Sequence, residues 1–280
     1  TFNARRSSTN LMTITFIGGG NMASAIAGGL VARGRPASGI AIVDPVDAQR
    51  AKLDAALPGV RTHASVAAAA IAGSSIVVLA VKPQQMREAC AALAPHVAAV
   101  PVVLSIAAGT RSSDISRWLG GYARIVRAMP NTPALVGAGI SGVWSSPSVG
   151  ANDRAAAAAI LEACGEVVPV DREETLDAVT GVSASGPAYV FYLIESLEAA
   201  ARAQGFDAAS ARKLAYATFA GSVKLATASD EDCATLRARV TSKGGTTERG
   251  IAALEDAHVR EAIAAAVDAA TKRATEMGDL

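Results

Sequence analysis

Aromatic residues are scarce in this chain: phenylalanine, tryptophan and tyrosine together make up 4% of its 280 residues. Alanine-rich stretches stand in their place, which favours many helices that pack closely through small side chains. Because those helices carry few large apolar side chains, we expect part of their surface to be buried between subunits as well as within one chain.

Cysteine and histidine occur only three times each, at spacings that fit neither a disulfide framework nor a metal-binding pair. Three scattered cysteines are typical of a reducing compartment, so we expect a cytoplasmic protein. The histidines show no HxxE or HExxH spacing, so we assign no metal. Both residue types are expected to be ordinary structural side chains.

An excess of charge of one sign is also missing, since 26 Lys+Arg balance 25 Asp+Glu. This balance argues against a nucleic acid or an anionic membrane surface as partner. No uninterrupted apolar run reaches the roughly 18 residues that a membrane span requires. The longest candidate, AAAAIAGSSIVVLAV, is broken by Gly73, Ser74 and Ser75. We therefore expect small molecules as ligands and no membrane partner.

The chain divides into a part where strands and helices alternate and a part that is helical. Strand-like runs are predicted at 13–17, 40–43, 75–81, 101–106, 123–129, 139–144 and 166–170, with helices between them. This alternation is the pattern of a doubly wound α/β domain with a parallel sheet. We predict a Rossmann-type domain over 13–171 and an all-helical domain over 172–280, with residues 1–12 as a disordered arm or a cloning remnant.

The first strand runs directly into the sequence GGGNMASAIAGG. Gly18, Gly20 and Ala23 match the pattern G-x-G-x-x-G/A, with an apolar strand before it and a helix after it. The first glycine permits a tight turn, the second lets a pyrophosphate approach the backbone, and the small third residue lets helix and strand pack closely. The pattern predicts a dinucleotide site with the phosphates at the helix N-terminus.

Asp44 ends the second predicted strand, in the sequence IVDP. A carboxylate at this position accepts hydrogen bonds from a ribose 2′-hydroxyl and repels a 2′-phosphate, which slightly favours NAD(H). Asp44 could instead point to solvent or cap the helix near Asp47, and Arg50 could reach a phosphate. Both cofactors therefore stay open.

Three more loops follow predicted strands and are expected to flank the cofactor: AVKPQQ, SIAAGT and RAMPNTP. A solvated Lys82 and stiff turns of no functional role are the plain alternatives. The predicted cofactor residues are Gly18, Gly19, Gly20, Asn21, Met22, Ala23, Asp44, Ala80, Val81, Lys82, Pro83, Ala107, Ala108, Gly109, Met129, Pro130 and Asn131.

A second glycine-rich break, TSKGGTTERG, occurs among the helices of the second domain. Gly244, Gly245, Thr246 and Thr247 precede a helical run, so they present backbone N–H groups at a helix N-terminus, where a small carboxylate is a suitable ligand. Ser242 and Thr247 add hydroxyl groups. A Thr-capped helix after a flexible turn would satisfy the same pattern.

The blocks FIGGGNMASAIAGGL, AVKPQQM, SIAAGT, RAMPNTPALVGAGISGV, DAVTGVSASGPAYVFYLIE and TSKGGTTERGIAALE, in this order, closely resemble pyrroline-5-carboxylate reductase. The resemblance covers nearly everything from Thr13 onward. It implies reduction of L-pyrroline-5-carboxylate to L-proline, the last step of proline biosynthesis, with hydride from NADPH or, in many members, NADH.

The same resemblance implies an N-terminal Rossmann domain and a helical dimerisation domain. It implies a homodimer, often assembled into a ring of dimers, with the substrate pocket at the dimer interface. Thr247 is then the candidate catalytic residue near the imine nitrogen. The implied substrate residues are Ser242, Gly244, Gly245, Thr246, Thr247 and Glu173. An N-terminal helix carboxylate is the alternative role of Glu173.

The chain departs from the family pattern at a few positions. Lys243 stands where proline is usual, so the loop is either looser or better suited to a carboxylate. Asp44 stands where many relatives have a small polar residue that accommodates a 2′-phosphate. Two other functions are considered: a β-hydroxyacid-type dehydrogenase, for which Lys213 and Lys224 lack a suitable context, and a non-catalytic nucleotide-binding regulator.

Overall fold

The computed structural model describes residues 13–278, and within them one sheet of eight strands forms the centre of the first part of the chain. The predicted arm at 1–12 lies outside the described residues. The strand order is β3-β2-β1-β4-β5-β6-β7-β8. The strands are β1 Thr13–Ile17, β2 Ile40–Val43, β3 Arg61–His63, β4 Ser74–Leu79, β5 Val102–Ser105, β6 Ile125–Pro130, β7 Gly139–Ser145 and β8 Gly165–Pro169.

Two features of this sheet differ from the sequence prediction. β3 was not predicted, because its three residues, RTH, are too few and too polar to show the apolar run of a buried strand. β6 and β7 pair antiparallel, whereas the other neighbouring strands pair parallel. The short connection from Asn131 to Ala138 reverses the chain, which only an antiparallel pair allows.

Helices cover both faces of the sheet, as a doubly wound fold requires. One apolar cluster joins Ile14 and Phe16 of β1 to the helices at Ile26 and Ile160, and the other joins Ile17 to the helices at Met86 and Ile115. The helices are α1 Asn21–Ala32, α2 Asp47–Ala56, α3 Ala68–Ile71, α4 Met86–Leu93, α5 Ser112–Trp118, α6 Ala151–Glu162 and α7 Thr175–Val179.

The remaining helices are α8 Gly186–Ala203, α9 Ala208–Thr227, α10 Cys233–Arg239, α11 Thr246–Asp256 and α12 Val259–Gly278. Their ends carry the expected signals. Pro187 lies in the first turn of α8, and Gly205 follows its end with a φ of 96°. The Asp207 side chain caps α9 by accepting hydrogen bonds from Ala209 N and Ser210 N.

The chain forms two compact units. The first contains the residues up to Ala184 and those from Ala270 onward, and the second is Ser185–Ala269. The division lies beyond the boundary expected at 171/172. α7 and the single π-helical turn after it, Thr180–Ala184, remain with the sheet, and Val179 lies against Gly142 of β7. The strands do end before Asp171, as predicted.

None of the described helices combines the length and the apolar character that crossing a membrane demands. Across residues 13–278, no group of three or more His, Cys, Asp or Glu side chains is placed to hold a metal ion.

Candidate active site

A cleft of about 520 Å³ lies at the carboxyl ends of β1, β2 and β4. β1 lies between β2 and β4, so this is the point at which the strand order reverses, where open α/β sheets bind ligands. The predicted cofactor residues that line it are Gly18, Gly19, Gly20, Asp44, Ala80, Val81 and Lys82. Motifs far apart in the sequence therefore meet in one cleft.

The glycines of this cleft have separate roles that the structure makes visible. Gly18 has a φ of 99°, and a Cβ there would lie 2.6 Å from the carbonyl oxygen of Ala80. A Cβ on Gly20, by contrast, would meet nothing within 4 Å. Gly20 is also the N-cap of α1 and has no side-chain cap, so N–H groups of the first turn are open to an anion. This cradle fits a pyrophosphate.

The three residues after Gly20 differ in exposure. Asn21 is exposed, Met22 is half-buried and Ala23 is fully buried in the core beneath α1. None of the three lines the cleft described above. A small buried Ala23 permits the close helix–strand packing that its motif position predicts.

The Asp44 carboxylate faces the glycine loop. Its Oδ2 accepts a hydrogen bond from Gly19 N at 3.0 Å, and its Oδ1 accepts one from Val46 N at 2.9 Å. Arg50 donates from Nη1 to the Asp44 carbonyl oxygen at 2.7 Å and also pairs with Asp47. The alternative in which Asp44 points into solvent is therefore wrong.

The loop after β4 contributes Ala80, Val81 and Lys82 to the cleft wall. Ala80 N donates to the Ile17 carbonyl oxygen at 2.8 Å, which ties this loop to the end of β1. Lys82 is exposed, and Pro83 begins a short 3-10 turn, Pro83–Gln85, without lining the cleft. Lys82 thus has room to meet a phosphate from the rim.

The loop after β5 is covered by the last turn of α12. Gly109 has a φ of 70°, and a Cβ there would lie 2.9 Å from the Cβ of Met277 in the last turn of α12. Ala107 is buried and Ala108 is half-buried. The sequence expectation that these residues contact a cofactor stays a prediction, and the contact that the structure provides for Gly109 is with α12.

The end of β6 is fixed by Asn131. Its Nδ2 donates to the Ser183 carbonyl oxygen at 3.1 Å, and its Oδ1 accepts from Ile140 N at 2.9 Å. Pro130 is buried and Met129 is half-buried. Asn131 therefore connects the β6–β7 turn to the segment that precedes α8.

Glu173 belongs to a buried network of charges. Its carboxylate accepts hydrogen bonds from Ser112 N at 2.6 Å and Ser112 Oγ at 2.5 Å, and it pairs with Arg127 Nη1 at 2.7 Å. Burial lowers the pKa of Arg127, and the hydrogen bond to Glu173 opposes this shift. Glu173 thus stabilises the start of α5, not the start of its own helix, and its substrate role stays a prediction.

A second ion pair lies in the same network. Arg111 binds Asp177 through both terminal guanidinium nitrogens, Nη1 and Nη2, with distances of 3.1 Å and 2.7 Å. Asp177 also accepts a hydrogen bond from Thr275 Oγ1 at 3.0 Å. The hydrogen bond from Thr275 ties the last turns of α12, which belong to the first unit, to this bidentate pair.

The predicted substrate loop in the second unit is open to solvent. Gly244 has a φ of 75°, and Gly245 is the N-cap of α11 without a side-chain cap. Gly244 N donates to Glu248 Oε2 at 2.7 Å, and Gly245 N donates to the Ser242 carbonyl oxygen at 2.9 Å.

The two threonines occupy the first turn of α11 and are exposed. Within the described residues, the Thr247 hydroxyl has no hydrogen-bond partner, so the reading in which a threonine caps this helix is wrong. A Cβ on Gly245 would lie 2.5 Å from Ser242 Oγ, so the glycine makes room for that hydroxyl.

Several cleft residues were missed by sequence reasoning: Pro45, Val46, Ala64, Val66, Gln85 and Glu88. Val46 is an exposed apolar residue directly after Asp44, and Ala64 and Val66 follow the unpredicted strand β3. Recognition of β3 would have placed its following loop at the same sheet edge as Asp44. Gln49, whose side chain donates to the Gly19 carbonyl oxygen, carried no motif signal.

The cysteines contribute no reactive thiolate to the buried sites. Burial raises the pKa of Cys90 to about 12 and raises that of Cys164. All three cysteines are free, and Cys233 is exposed at the start of α10.

Two protein-family models match this chain. One, described as pyrroline-5-carboxylate reductase dimerisation, matches residues 173–277. The other, described as NADP oxidoreductase coenzyme F420-dependent, matches residues 13–109. The two matches correspond to the helical part and to the glycine-loop part of the chain.

Relatives are similar along almost the whole length. The pyrroline-5-carboxylate reductase of Pseudomonas aeruginosa is 40% identical over 268 residues, which are 95% of this chain and 97% of that protein. The enzyme of the same name from Synechocystis sp. is 43% identical over 263 residues, covering 94% and 97%.

Solved structures agree in fold over the same range. A pyrroline-5-carboxylate reductase from Coxiella burnetii has a TM-score of 0.90 at 36% identity, covering 95% of this chain and 98% of that one. A Plasmodium falciparum pyrroline carboxylate reductase, crystallised with NADP bound, has a TM-score of 0.84 at 28% identity with the same coverage.

Proposed function

Because this chain belongs to the pyrroline-5-carboxylate reductase family, we propose that it reduces L-pyrroline-5-carboxylate to L-proline with a reduced nicotinamide dinucleotide. The observation that carries the proposal is the identity of 40% over 95% of the chain, which includes both the glycine cleft and the GGTT loop. An oxidoreductase of proline biosynthesis follows from this membership.

The first unit holds the dinucleotide in this proposal. Gly20 and the first turn of α1 receive the pyrophosphate, because no side chain of the described residues caps the backbone N–H groups there. Asp44 faces the ribose next to it, and Lys82 reaches a phosphate or ribose from the rim. The nicotinamide, when bound, supplies the hydride. Ala107–Gly109 and Met129–Asn131 remain proposed cofactor contacts on the strength of the resemblance.

The second unit supplies the substrate contacts. Thr246 and Thr247 present backbone N–H groups at the uncapped start of α11, which suit the substrate carboxylate. Gly244 N and Gly245 N already donate to Glu248 and Ser242, so these two glycines are proposed to let the substrate approach the loop backbone. The exposed Thr247 hydroxyl is proposed to bind the imine nitrogen, and Ser242 and the exposed Lys243 lie in the same loop. Glu173 remains a proposed substrate residue, and its hydrogen bonds with Ser112 and Arg127 fix the position of its carboxylate.

The chemistry requires little from acidic or basic side chains. A protonated imine already accepts hydride at its carbon, so the residues of the loop need mainly to orient that carbon. When hydride adds to the carbon, the C=N electron pair moves to nitrogen, which keeps its proton and becomes the amine of proline. Thr247 is proposed to hydrogen-bond this nitrogen before and after the step.

We propose that the homo-oligomer is built from dimers, assembled further into a ring. The family match over 173–277 is to a dimerisation region. Within the second unit, α8 and α9 expose large apolar side chains that a partner would cover: Val190, Phe191, Tyr192, Leu197, Tyr216 and Val223. A cytoplasmic location is proposed from the three free cysteines, which suit a reducing compartment.

The test is to follow reduced-nicotinamide absorbance with purified protein, L-pyrroline-5-carboxylate, and NADPH or NADH in separate assays. We expect substrate-dependent oxidation and formation of L-proline. No oxidation with either cofactor, by protein that binds dinucleotide, would exclude the proposed reaction. Size-exclusion chromatography with light scattering tests the assembly, and a monomer at micromolar concentration would contradict it.

A further inference from the structure

We propose that this chain binds NADH more tightly than NADPH, with Asp44 as the residue that determines the preference. The inference rests on the proposed function, because it concerns the dinucleotide of the same site. Its basis is the conformation of the β2–α2 connection, where a carboxylate is held in the cleft and the neighbouring cation is held by other partners.

The Asp44 carboxylate is a fixed part of the cleft. Hydrogen bonds from Gly19 N and Val46 N hold its two oxygens, one on each side. Each oxygen keeps a further lone-pair site, so the carboxylate can still accept hydrogen bonds from the two ribose hydroxyls of NADH. A 2′-phosphate brings about two negative charges to the same place and has no proton to donate.

Gly19 is matched to this carboxylate. A Cβ on Gly19 would lie 3.2 Å from Asp44 Oδ2 and 2.7 Å from Leu53 Cδ1. The absence of a side chain therefore allows the acid to approach the glycine loop. Asp44 and Gly19 together make an arrangement in which the negative charge lies directly on the cofactor loop.

The cations near the cleft do not offset this charge. Lys82 is the one basic residue among the described residues that line it, and it follows β4, on the other side of β1 from Asp44. Arg50 is close, but its guanidinium donates to the Asp44 carbonyl oxygen and pairs with Asp47. A 2′-phosphate would have to compete with Asp47 for Arg50 while it lies beside Asp44.

The experiment is a binding titration by calorimetry with NADH and NADPH, repeated with ADP-ribose and its 2′-phosphate, so no turnover is needed. Wild-type protein should bind NADH at least about tenfold more tightly than NADPH. Asp44→Asn keeps the size and removes the charge, and it should reduce this ratio by about tenfold, chiefly through tighter NADPH binding. Asp44→Ser should give the same result if the asparagine variant folds poorly.

Two further variants separate the causes. Asp54→Asn removes the same charge from α2 outside the cleft, and it should leave the ratio within about twofold. Arg50→Gln should weaken the binding of NADPH no more than it weakens the binding of NADH. Equal or tighter NADPH binding by wild type, an unchanged ratio in both Asp44 variants, or a selective loss of NADPH in Arg50→Gln would overturn the inference. Dinucleotide binding without imine reduction would instead contradict the proposed function alone.

Discussion

Two helices of this chain start with the same local backbone, but the start of one is enclosed by neighbouring strands and the start of the other is open to solvent. α1 begins after Gly20 and α11 after Gly245, both glycines in extended conformation without a side-chain cap. A glycine with positive φ precedes each, Gly18 at 99° and Gly244 at 75°. Local backbone geometry alone does not distinguish them.

The surroundings of the two starts differ. Gly18 and Gly19 are buried, and added Cβ atoms would collide with Ala80 or Leu53. Gly244 is exposed, and a Cβ there would meet nothing within 4 Å. Neighbouring strands complete the first site inside one subunit. The second has only its own loop around it, which is consistent with a proposed pocket that a partner subunit completes.

The largest difference should appear when the positive-φ glycine of each loop is replaced by alanine. Gly18→Ala adds both backbone strain and a clash with the Ala80 carbonyl, so it should cost about 3–5 kcal/mol of unfolding free energy. Gly244→Ala adds strain only, about 1 kcal/mol. Urea denaturation followed by circular dichroism measures both. Similar losses in the two variants would mean that the packing around Gly18 does not matter.

Buried ion pairs stabilise the first unit, and removal of one should lower the free energy of unfolding nearly as much as Gly18→Ala does. Asp177→Ala removes a mostly buried partner of Arg111 and should destabilise the protein by about 3 kcal/mol. Hydrogen exchange should increase at residues 270–278, because Thr275 loses its acceptor. Asp268→Ala, on the same helix, serves as the control and should leave exchange there unchanged. Unchanged exchange at 270–278 in Asp177→Ala would show that this pair does not hold α12.

The open loop should respond in catalysis and not in stability. Thr247→Ala removes an exposed hydroxyl, so it should lower kcat about tenfold or more, roughly 1.4 kcal/mol of barrier, with little change in dinucleotide affinity. Thr247→Ser keeps the hydroxyl and should retain most activity. Steady-state kinetics with a separate cofactor titration decide this. If turnover and cofactor affinity fall together, the loop lies outside the substrate site.

The smallest effect is expected at Glu248, which bonds to Gly244 N on the surface of the second loop. Glu248→Gln keeps an acceptor for that N–H, so stability should change by less than about 0.5 kcal/mol. The Michaelis constant for the imine should fall slightly, because a negative charge next to the carboxylate site is removed. Thermal unfolding and substrate titration test this, and a raised constant would show that Glu248 orders the loop.

Sequence reasoning succeeded where the signal is local. β1 and β2 have the bounds predicted from their apolar runs. It failed at β3, whose three polar residues carry no run, and at the direction of β7, which depends on how the chain turns and not on residue periodicity. The glycine loop was recognisable because its spacing is tied to one backbone conformation.

Contacts between distant residues were beyond reach of the same reasoning. The sequence marks Gly109 as a small residue after a strand, but only the fold brings Met277 onto it. Glu173 is recognisable as an acid near the start of a helix, yet the helix it stabilises, α5, begins 61 residues earlier at Ser112. Both partners depend on how the chain folds back on itself.

The alternation of strands and helices apart from β3, the position of the glycine loop after β1 and the resemblance to the family were determined by the sequence itself, since they depend on residue types and on their spacing along the chain. The tertiary structure decided which way those groups face. It turned Asp44 toward Gly19, held Arg50 against Asp47, and gave the Thr247 hydroxyl no hydrogen-bond partner among residues 13–278. Orientation depends on hydrogen bonds and packing between segments far apart in the chain, and no local pattern contains that information.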